Sequence, residues 1–203
     1  MLQCTPMTYT PKTFTLYPLA GISEKQIKAH LALYEGYVKH VNLIMEKIAS
    51  LKEADAEANA YLIAELRRRF AFEFDGMRLH EYYFEQFEGE KSGDPKSGLA
   101  KAAAGRYGSG EAFLAHIKEV AGTRGIGWVV VYVDPPVKTL HTVFVADHEL
   151  GQLAGLPIVL ALDLWEHAFM VDYLPSEKKS YIDAFFENFN WSIAEKRFLA
   201  AIA

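Results

Sequence analysis

The sequence is poor in cysteine and in long apolar runs. Its one cysteine, Cys4, cannot form a disulfide within the chain, and it lies in a Thr- and Pro-rich N-terminal segment. A lone thiol favours a reducing compartment, and we expect a cytoplasmic protein. Residues 1–15 lack the basic and apolar parts of a secretory signal, and no stretch approaches the roughly 18 apolar residues of a membrane span. We therefore expect no membrane partner.

Basic residues are too few and too scattered for a protein that binds nucleic acid. The 203 residues include 21 Lys and Arg against 26 Asp and Glu, for a net charge of −5. The densest basic run, Arg67-Arg68-Arg69, is typical of a solvated helix face, and no basic stripe with interleaved aromatics accompanies it. Hydrophobic residues make up 51% of the chain, which suffices for a core and excludes intrinsic disorder.

The motifs of several enzyme classes are missing. The glycine-rich stretch 105–110 lacks the Lys-Ser/Thr ending of a phosphate-binding loop and predicts a loop or the entry to a helix. No G-x-S-x-G nucleophile motif occurs. Cys4 has no evident histidine partner, so we expect no cysteine nucleophile.

The spacing of apolar residues predicts only helices in the first half of the chain. One long helix is expected from Glu24 to about Leu51, with Ser23 and Gln26 as a capping box, followed by helices over 55–72 and from near Asp75. The polar, turn-rich stretch 90–98 is the clearest break. We predict one domain over 1–91, a linker over 92–97 and a second domain over 98–203.

After the linker, the pattern changes to a mixture of helices and strands. A helix is predicted over 110–122, and strands over 128–133 and 139–146 form a hairpin around an Asp-Pro-Pro turn. A third strand is predicted over 156–162, and the residues after Trp165 read as helical, with a last helix near 192–202. Helices alone before the linker and a small sheet with helices after it predict an α+β architecture.

A metal site is the main chemical candidate, because the chain has seven histidines and many carboxylates. Asp163 directly follows an apolar strand, where an ionised carboxylate is either paired, bound to metal or used as a helix N-cap. His167 comes four residues later. His30 and His80 lie on apolar faces of predicted helices, where each is either a hydrogen-bonded core residue or a ligand. Three imidazoles and one carboxylate would leave room for one water on a metal ion.

Residues 163–169, Asp-Leu-Trp-Glu-His-Ala-Phe, resemble the D-x-W-E-H-A-[FY] signature of the iron/manganese superoxide dismutases. Other segments match that family in chain order from about Phe14 onward. They are residues 22–30, residues 76–84, Tyr107-Gly-Ser, Gly125-Ile-Gly-Trp128 and Asn190-Trp191.

The resemblance implies a fold and an activity. The fold is an N-terminal helical hairpin followed by a C-terminal α/β domain with a three-stranded antiparallel sheet. By position, the ligands of one Fe or Mn ion per chain would be His30, His80, Asp163 and His167, with a solvent molecule as fifth ligand. The activity would be disproportionation of superoxide to oxygen and hydrogen peroxide, an antioxidant reaction. The choice between the two metals stays open, since both accept the same ligands.

The resemblance also implies a residue that hydrogen-bonds the bound solvent and an active-site tyrosine. His148 falls at the first of these positions, because the alternative position on the helix is Gly76; an exposed histidine in a turn is the competing interpretation. Tyr37 resembles the tyrosine, but its spacing from His30 is one residue shorter than usual. Tyr34 is therefore the alternative.

Three further residues have both a functional and a structural interpretation. Trp128 and Trp165 either line the metal cavity or belong to the core. Glu166 resembles a residue that contacts the partner's His167 across a homodimer, and it also fits the acidic first turn of a helix. A homodimer or higher homo-oligomer is expected.

The sequence departs from the family at the gateway to the site. The usual histidine and tyrosine are replaced in the neighbourhoods of Leu33-Tyr34 and Met170, and a typical arginine is replaced by Lys178 or Lys179. These changes leave two alternatives to a dismutase. One is a non-catalytic structural or interaction protein that keeps the fold, and the other is a different mononuclear metalloenzyme, such as a hydrolase.

Overall fold

The computed structural model describes residues 8–203, so the predictions about Cys4 lie outside the described residues. Two long helices, α1 (Glu24–Asp55) and α2 (Ala60–Glu85), form an antiparallel hairpin. The predicted cap of α1 is present, since the hydroxyl of Ser23 accepts a hydrogen bond from the Gln26 amide at 3.0 Å. Within residues 8–203, no helix combines the length and apolar character needed to cross a bilayer.

The predicted break between a second and a third helix is wrong, because α2 runs unbroken through residues 72–75. Gly76 does not end the helix. A Cβ at Gly76 would lie 2.8 Å from Cδ1 of Tyr37, so the glycine lets that ring lie directly against the α2 backbone. Packing between α1 and α2 thus outweighs the low helix propensity of glycine.

The second half of the chain combines four helices with a small sheet. The helices are α3 (Gly98–Tyr107), α4 (Gly110–Ala121), α5 (Lys178–Asn188) and α6 (Trp191–Ile202). The prediction of a loop or helix entry over 105–110 missed α3, which continues to Tyr107. The residues after Trp165 are only partly α-helical, since two 3-10 turns, Glu166–Ala168 and Pro175–Glu177, precede α5.

The predicted three-stranded antiparallel sheet is confirmed. It consists of β1 (Gly127–Asp134), β2 (Thr139–Ala146) and β3 (Ile158–Asp163), with β1 in the centre. Residues 127–133 of β1 are all buried, which explains its continuous apolar run. Trp128 pairs with Asp163 across the β1–β3 ladder. The register therefore places an indole next to the carboxylate that ends β3.

A glutamine side chain joins α2 to the free edge of the sheet. Gln86 is fully buried; its Oε1 accepts a hydrogen bond from the Ala161 amide at 2.8 Å, and its Nε2 donates to the Ala161 carbonyl at 2.7 Å. Gln86 thereby satisfies two edge groups of β3 as a neighbouring strand would. This contact fixes α2 relative to β3, and so fixes His80 relative to Asp163.

Candidate metal centre

Four side chains from four separate segments converge in the core. His30 comes from α1, His80 from α2, Asp163 from the end of β3, and His167 from the 3-10 turn that follows. Their potential ligand atoms all lie within 4.8 Å of one another. The side chains of His30, His80 and Asp163 are fully buried, while that of His167 is 16% exposed.

One carboxylate oxygen, Oδ2 of Asp163, is the common point of this cluster. It lies 3.0 Å from Nε2 of His30, 3.2 Å from Nε2 of His167 and 3.5 Å from Nε2 of His80. Adjacent donor atoms around a first-row metal with bonds of about 2.1 Å are about 3 Å apart. The spacing therefore suits four ligands of a single ion.

The hydrogen bonding of His80 supports a metal directly. Its Nδ1 lies 2.6 Å from the carbonyl oxygen of Gly76, which can only accept, so the Nδ1 proton is donated there. The lone pair of Nε2 is left facing the cluster, and this buried atom has no hydrogen-bond partner among residues 8–203. A buried polar atom without a partner is costly, and a metal ion would satisfy it. The residues present thus fit a metal ion.

Burial and charge set the protonation states that coordination requires. Burial lowers the pKa of His30 and also that of His80, so both imidazoles are neutral near pH 7. For Asp163, burial by itself raises the pKa, but the electrostatic interactions and hydrogen bonds with His167 and His30 outweigh it. The pKa of Asp163 therefore lies well below its usual range, and the carboxylate is ionised.

The second oxygen of Asp163 has a structural partner. Oδ1 accepts a hydrogen bond from the Trp165 amide at 2.8 Å, as an N-cap does. The carbonyl of Asp163 accepts another from the hydroxyl of Tyr181 at 2.8 Å. The capping and metal-binding interpretations of Asp163 are thus compatible, with one carboxylate oxygen available for each.

A glutamine that the sequence presents only as part of a helix cap also holds His167 in place. Nε2 of Gln26 donates to the His167 carbonyl at 2.6 Å, and its Oε1 accepts from the Val171 amide at 2.9 Å. Gln26 is buried in the first turn of α1. It therefore ties the 3-10 turn to the helix that carries His30, and no local sequence signal indicates this long-range contact.

A row of three hydrogen-bonded side chains lies beside the cluster. Nε1 of Trp128 donates to Nδ1 of His148 at 2.9 Å, and Nε2 of His148 lies 2.8 Å from the hydroxyl oxygen of Tyr37. Because Nδ1 accepts, the proton of a neutral His148 is on Nε2 and is donated to Tyr37. Burial lowers the pKa of His148 to about 4 and raises that of Tyr37, so both groups are uncharged near pH 7. His148 is fully buried, and its interpretation as an exposed turn residue is wrong.

Tyr34 and Tyr37 occupy different environments. The Tyr34 hydroxyl accepts a hydrogen bond from the Lys12 amide at 2.8 Å and lies 3.3 Å from Oε1 of Glu81. The Tyr37 ring lies closer to the imidazole of His80, with ring centroids 5.1 Å apart against 6.5 Å for Tyr34. The structure therefore brings the hydroxyl of Tyr37, and not that of Tyr34, to His148.

Both tryptophans contact the histidines. The ring of Trp128 is fully buried, 5.1 Å from that of His80. The ring of Trp165 is partly exposed and stacks on His167 and His148, at centroid distances of 5.7 and 4.9 Å. Trp128 is thus both a core residue and a wall of the metal cavity, while Trp165 separates the cavity from solvent.

The residues predicted at the altered gateway and at the dimer contact lie mostly at the surface. Leu33 is 41% exposed and Met170 is 45% exposed. Nζ of Lys178 donates to the Thr123 carbonyl at 3.2 Å. Glu166 is exposed and forms no ion pair within the described part of the chain.

A cleft of about 530 Å³ leads from the surface to Tyr37 and Trp165. We call it the access cleft. Its remaining lining residues are Ala29, Ala32, Leu33, Gly36, His40, Arg69, Phe72 and Glu73. Sequence reasoning placed Arg69 only on a solvated face and missed Phe72 and Glu73, because nothing in their local pattern distinguishes a cleft wall from any other helix surface.

Comparisons with known proteins agree with this geometry. Residues 95–197 match the family model "Iron/manganese superoxide dismutases, C-terminal domain". The chain is 35% identical over 188 residues to the "Superoxide dismutase [Fe]" of Aquifex aeolicus, covering 91% of this chain and 87% of that protein. It is 33% identical over 172 residues to the "Superoxide dismutase [Mn] 2" of Halobacterium salinarum, covering 84% and 83%. The similarity thus extends to relatives named for either metal.

Replacing His80 by alanine tests the ligand set. We expect the His80→Ala protein to lose most of its bound iron or manganese, because it removes the one ligand nitrogen that has no other partner. Elemental analysis of the purified proteins measures the metal per chain. His116→Ala is the matched control, since His116 lies on α4 outside the cluster. Unchanged metal content in His80→Ala would contradict the assignment.

Proposed function

The chain belongs to the iron/manganese superoxide dismutase family, and we propose that Tyr37, His148 and Trp128 form the proton-handling side of its metal centre. The protein is a superoxide dismutase, which converts two superoxide anions and two protons into one molecule of oxygen and one of hydrogen peroxide. The observation that carries this conclusion is the convergence of three imidazoles on Oδ2 of Asp163. An iron or manganese ion bound there supplies one-electron redox chemistry.

The four proposed ligands suit that ion in charge as well as in position. The imidazoles of His30 and His80 are neutral and the carboxylate of Asp163 is ionised, so these three groups offer nitrogen and oxygen donors without competing protons. The fully buried Trp128 and the partly exposed Trp165 limit the water that reaches the cluster. The access cleft remains as a route by which solvent and small anions reach Tyr37.

Peroxide formation needs protons, and the hydroxyl of Tyr37 is their proposed donor. Nε2 of His148 already donates to the Tyr37 oxygen, so the phenolic proton of Tyr37 is free to point elsewhere. Trp128 holds His148 in the tautomer that this arrangement requires. His148 and Trp128 thus act as positioning residues, while Tyr37 lines the cleft by which an anion arrives.

The activity is tested by measuring the consumption of superoxide together with the yields of the products. We expect the metal-loaded protein to remove superoxide much faster than the same concentration of free metal ion. It should release one peroxide for each two superoxide anions consumed. A rate at the free-metal background would favour a non-catalytic module, and hydrolysis of test esters or phosphoesters without peroxide would favour a hydrolase.

The two tyrosines provide a matched pair of variants. We expect Tyr37→Phe to lower the rate of peroxide formation roughly tenfold or more without changing the metal content, because it removes the proposed proton donor. Tyr34→Phe should keep the activity and lower the free energy of unfolding by about 1 kcal/mol, because it loses hydrogen bonds to Lys12 and Glu81. Stopped-flow assays and urea unfolding distinguish the two. Equal activity losses in both variants would contradict the role of Tyr37.

We also propose that the enzyme is a homodimer in which Glu166 contacts the partner's His167. Glu166 is exposed and lacks an ion-pair partner within residues 8–203, while the His167 side chain reaches the surface. The apolar residues that follow, Met170, Val171 and Leu174, are 45%, 42% and 64% exposed. Such a row of exposed apolar side chains is typical of an interface.

Light scattering coupled to size exclusion tests the dimer. We expect the unaltered protein to have twice the mass of one chain and Glu166→Ala to shift toward one chain at micromolar concentration. Glu111→Ala, which removes an exposed acidic residue from the first turn of α4, should leave the mass unchanged. A monomeric unaltered protein would overturn this proposal without affecting the metal site.

Domain boundaries and location are further proposals. We propose that residues 1–91 and 98–203 are separate domains that contribute two ligands each. The linker 92–97 is almost entirely exposed, which supports this division. A first proteolytic cut inside α2 rather than in the linker would contradict it. The lone cysteine supports a cytoplasmic location, and recovery of the native protein outside the cytosolic fraction would count against it.

A further inference from the structure

Arg69 is held over the mouth of the access cleft, unlike the two arginines that precede it. Its guanidinium carbon lies 3.8 Å from the centroid of the Phe72 ring, and its Nε donates to Oε1 of Glu73 at 2.8 Å. Arg68 instead pairs with Glu65 at 3.4 Å, with its side chain 79% exposed. The basic run therefore contributes one cation to the lining of the cleft, and the Arg69 side chain is still 54% exposed there.

The carboxylate of Glu73 lies in the same cleft and requires the neighbouring cation of Arg69 to balance its charge. The side chain of Glu73 is only 6% exposed. Oε2 of Glu73 is buried and has no hydrogen-bond partner among residues 8–203; Nδ1 of His40 is 3.5 Å away. An anionic side chain with one oxygen unpaired repels an approaching anion unless a nearby cation neutralises it.

The mouth of the cleft is joined to its inner end by Phe72. The ring of Phe72 carries Arg69 on the outside, and its centroid lies 4.6 Å from that of His148 on the inside. His148 in turn contacts Tyr37. Apart from Glu73 and His40, the cleft-lining residues other than Arg69 carry no ionised group, and Arg69 is the one Lys or Arg that lines the cleft. The chain as a whole carries a net charge of −5, so no general attraction for anions replaces it.

We propose that Arg69 is the residue that steers superoxide into the access cleft, and that it does so by neutralising Glu73 at the mouth. This inference rests on the proposed function, because it assumes that superoxide is the anion that enters. The proposal gives Arg69 on α2 the role of attracting the anion, which neither the altered gateway nor Lys178 fills. Lys178 is bound to the Thr123 carbonyl and does not line the cleft.

A double-mutant cycle with kcat/KM as the first readout tests the proposal. At low ionic strength we expect Arg69→Ala to lower kcat/KM by about threefold to tenfold, since charges in clefts change association rates by this order. Glu73→Gln should raise it, and the double variant should return close to the unaltered value. Added salt should bring the variants together, because the Debye length falls to about 3 Å at 1 M.

Three further variants separate steering from net charge and from packing. Arg68→Ala removes the same charge at the neighbouring position and removes the partner of Glu65, and it should leave kcat/KM nearly unchanged. Arg69→Lys keeps the charge and should retain most of the rate, whereas Arg69→Met keeps the aliphatic stem and should behave like Arg69→Ala. Equal losses in Arg68→Ala and Arg69→Ala, or a loss in Arg69→Ala that salt does not reduce, would overturn the proposal.

Fluorescence quenching gives a second readout that needs no catalysis. Trp165 lines the cleft, so in the zinc-loaded Trp191→Phe protein its emission reports the entry of small solutes, with Trp128 fully buried. Iodide quenching should fall by about twofold in Arg69→Ala, while quenching by neutral acrylamide should not change. Unchanged iodide quenching would refute anion steering even if the enzyme is a dismutase. If Arg69→Ala reduced iodide quenching but the iron- or manganese-loaded protein had no dismutase activity, the proposed function would be refuted. The attraction of anions to the access cleft would still stand.

Discussion

The burial of one ionised carboxylate is the constraint on which the rest of the structure depends. Asp163 ends the edge strand β3 inside the core, where an unpaired charge would cost several kcal/mol. Its stability there requires the histidines on α1 and α2 and in the turn after β3 to reach the same oxygen. The helical hairpin and the sheet must therefore meet at a fixed distance and angle, and a metal ion bound between them ties the two halves of the chain together.

Contacts outside the cluster set that distance. Gln86 holds α2 to the edge of β3, Gln26 holds the turn to α1, and Gly76 lets α1 and α2 approach closely. The same close approach brings Tyr37 to His148, so the packing that builds the ligand set also builds the hydrogen-bonded row beside it. The contact between α1 and α2 thus serves both the histidine cluster and the hydrogen bond between Tyr37 and His148.

The four proposed ligands could be singled out from the sequence, whereas their surroundings could not. The chain has only seven histidines, and one specific motif contains both Asp163 and His167. Tyr34 and Tyr37 lie four and seven residues after His30, and both spacings fall on the same face of a helix, so only the contacts of α2 and His148 separate them. Arg69 differs from Arg68 by one step around the helix, and only the positions of Phe72 and Glu73 decide which of them faces the cleft. The unbroken α2 was missed for a related reason, because the contact that tolerates Gly76 is distant in sequence.

X-ray absorption spectroscopy of the metal-loaded protein tests the central claim most directly, because it counts the imidazoles on the metal. The claim is that three histidines and Asp163 surround one ion per chain. It predicts an iron or manganese edge with only nitrogen and oxygen donors and the multiple-scattering signature of three imidazoles. A spectrum with two or fewer imidazoles, or with a sulfur donor, would contradict it.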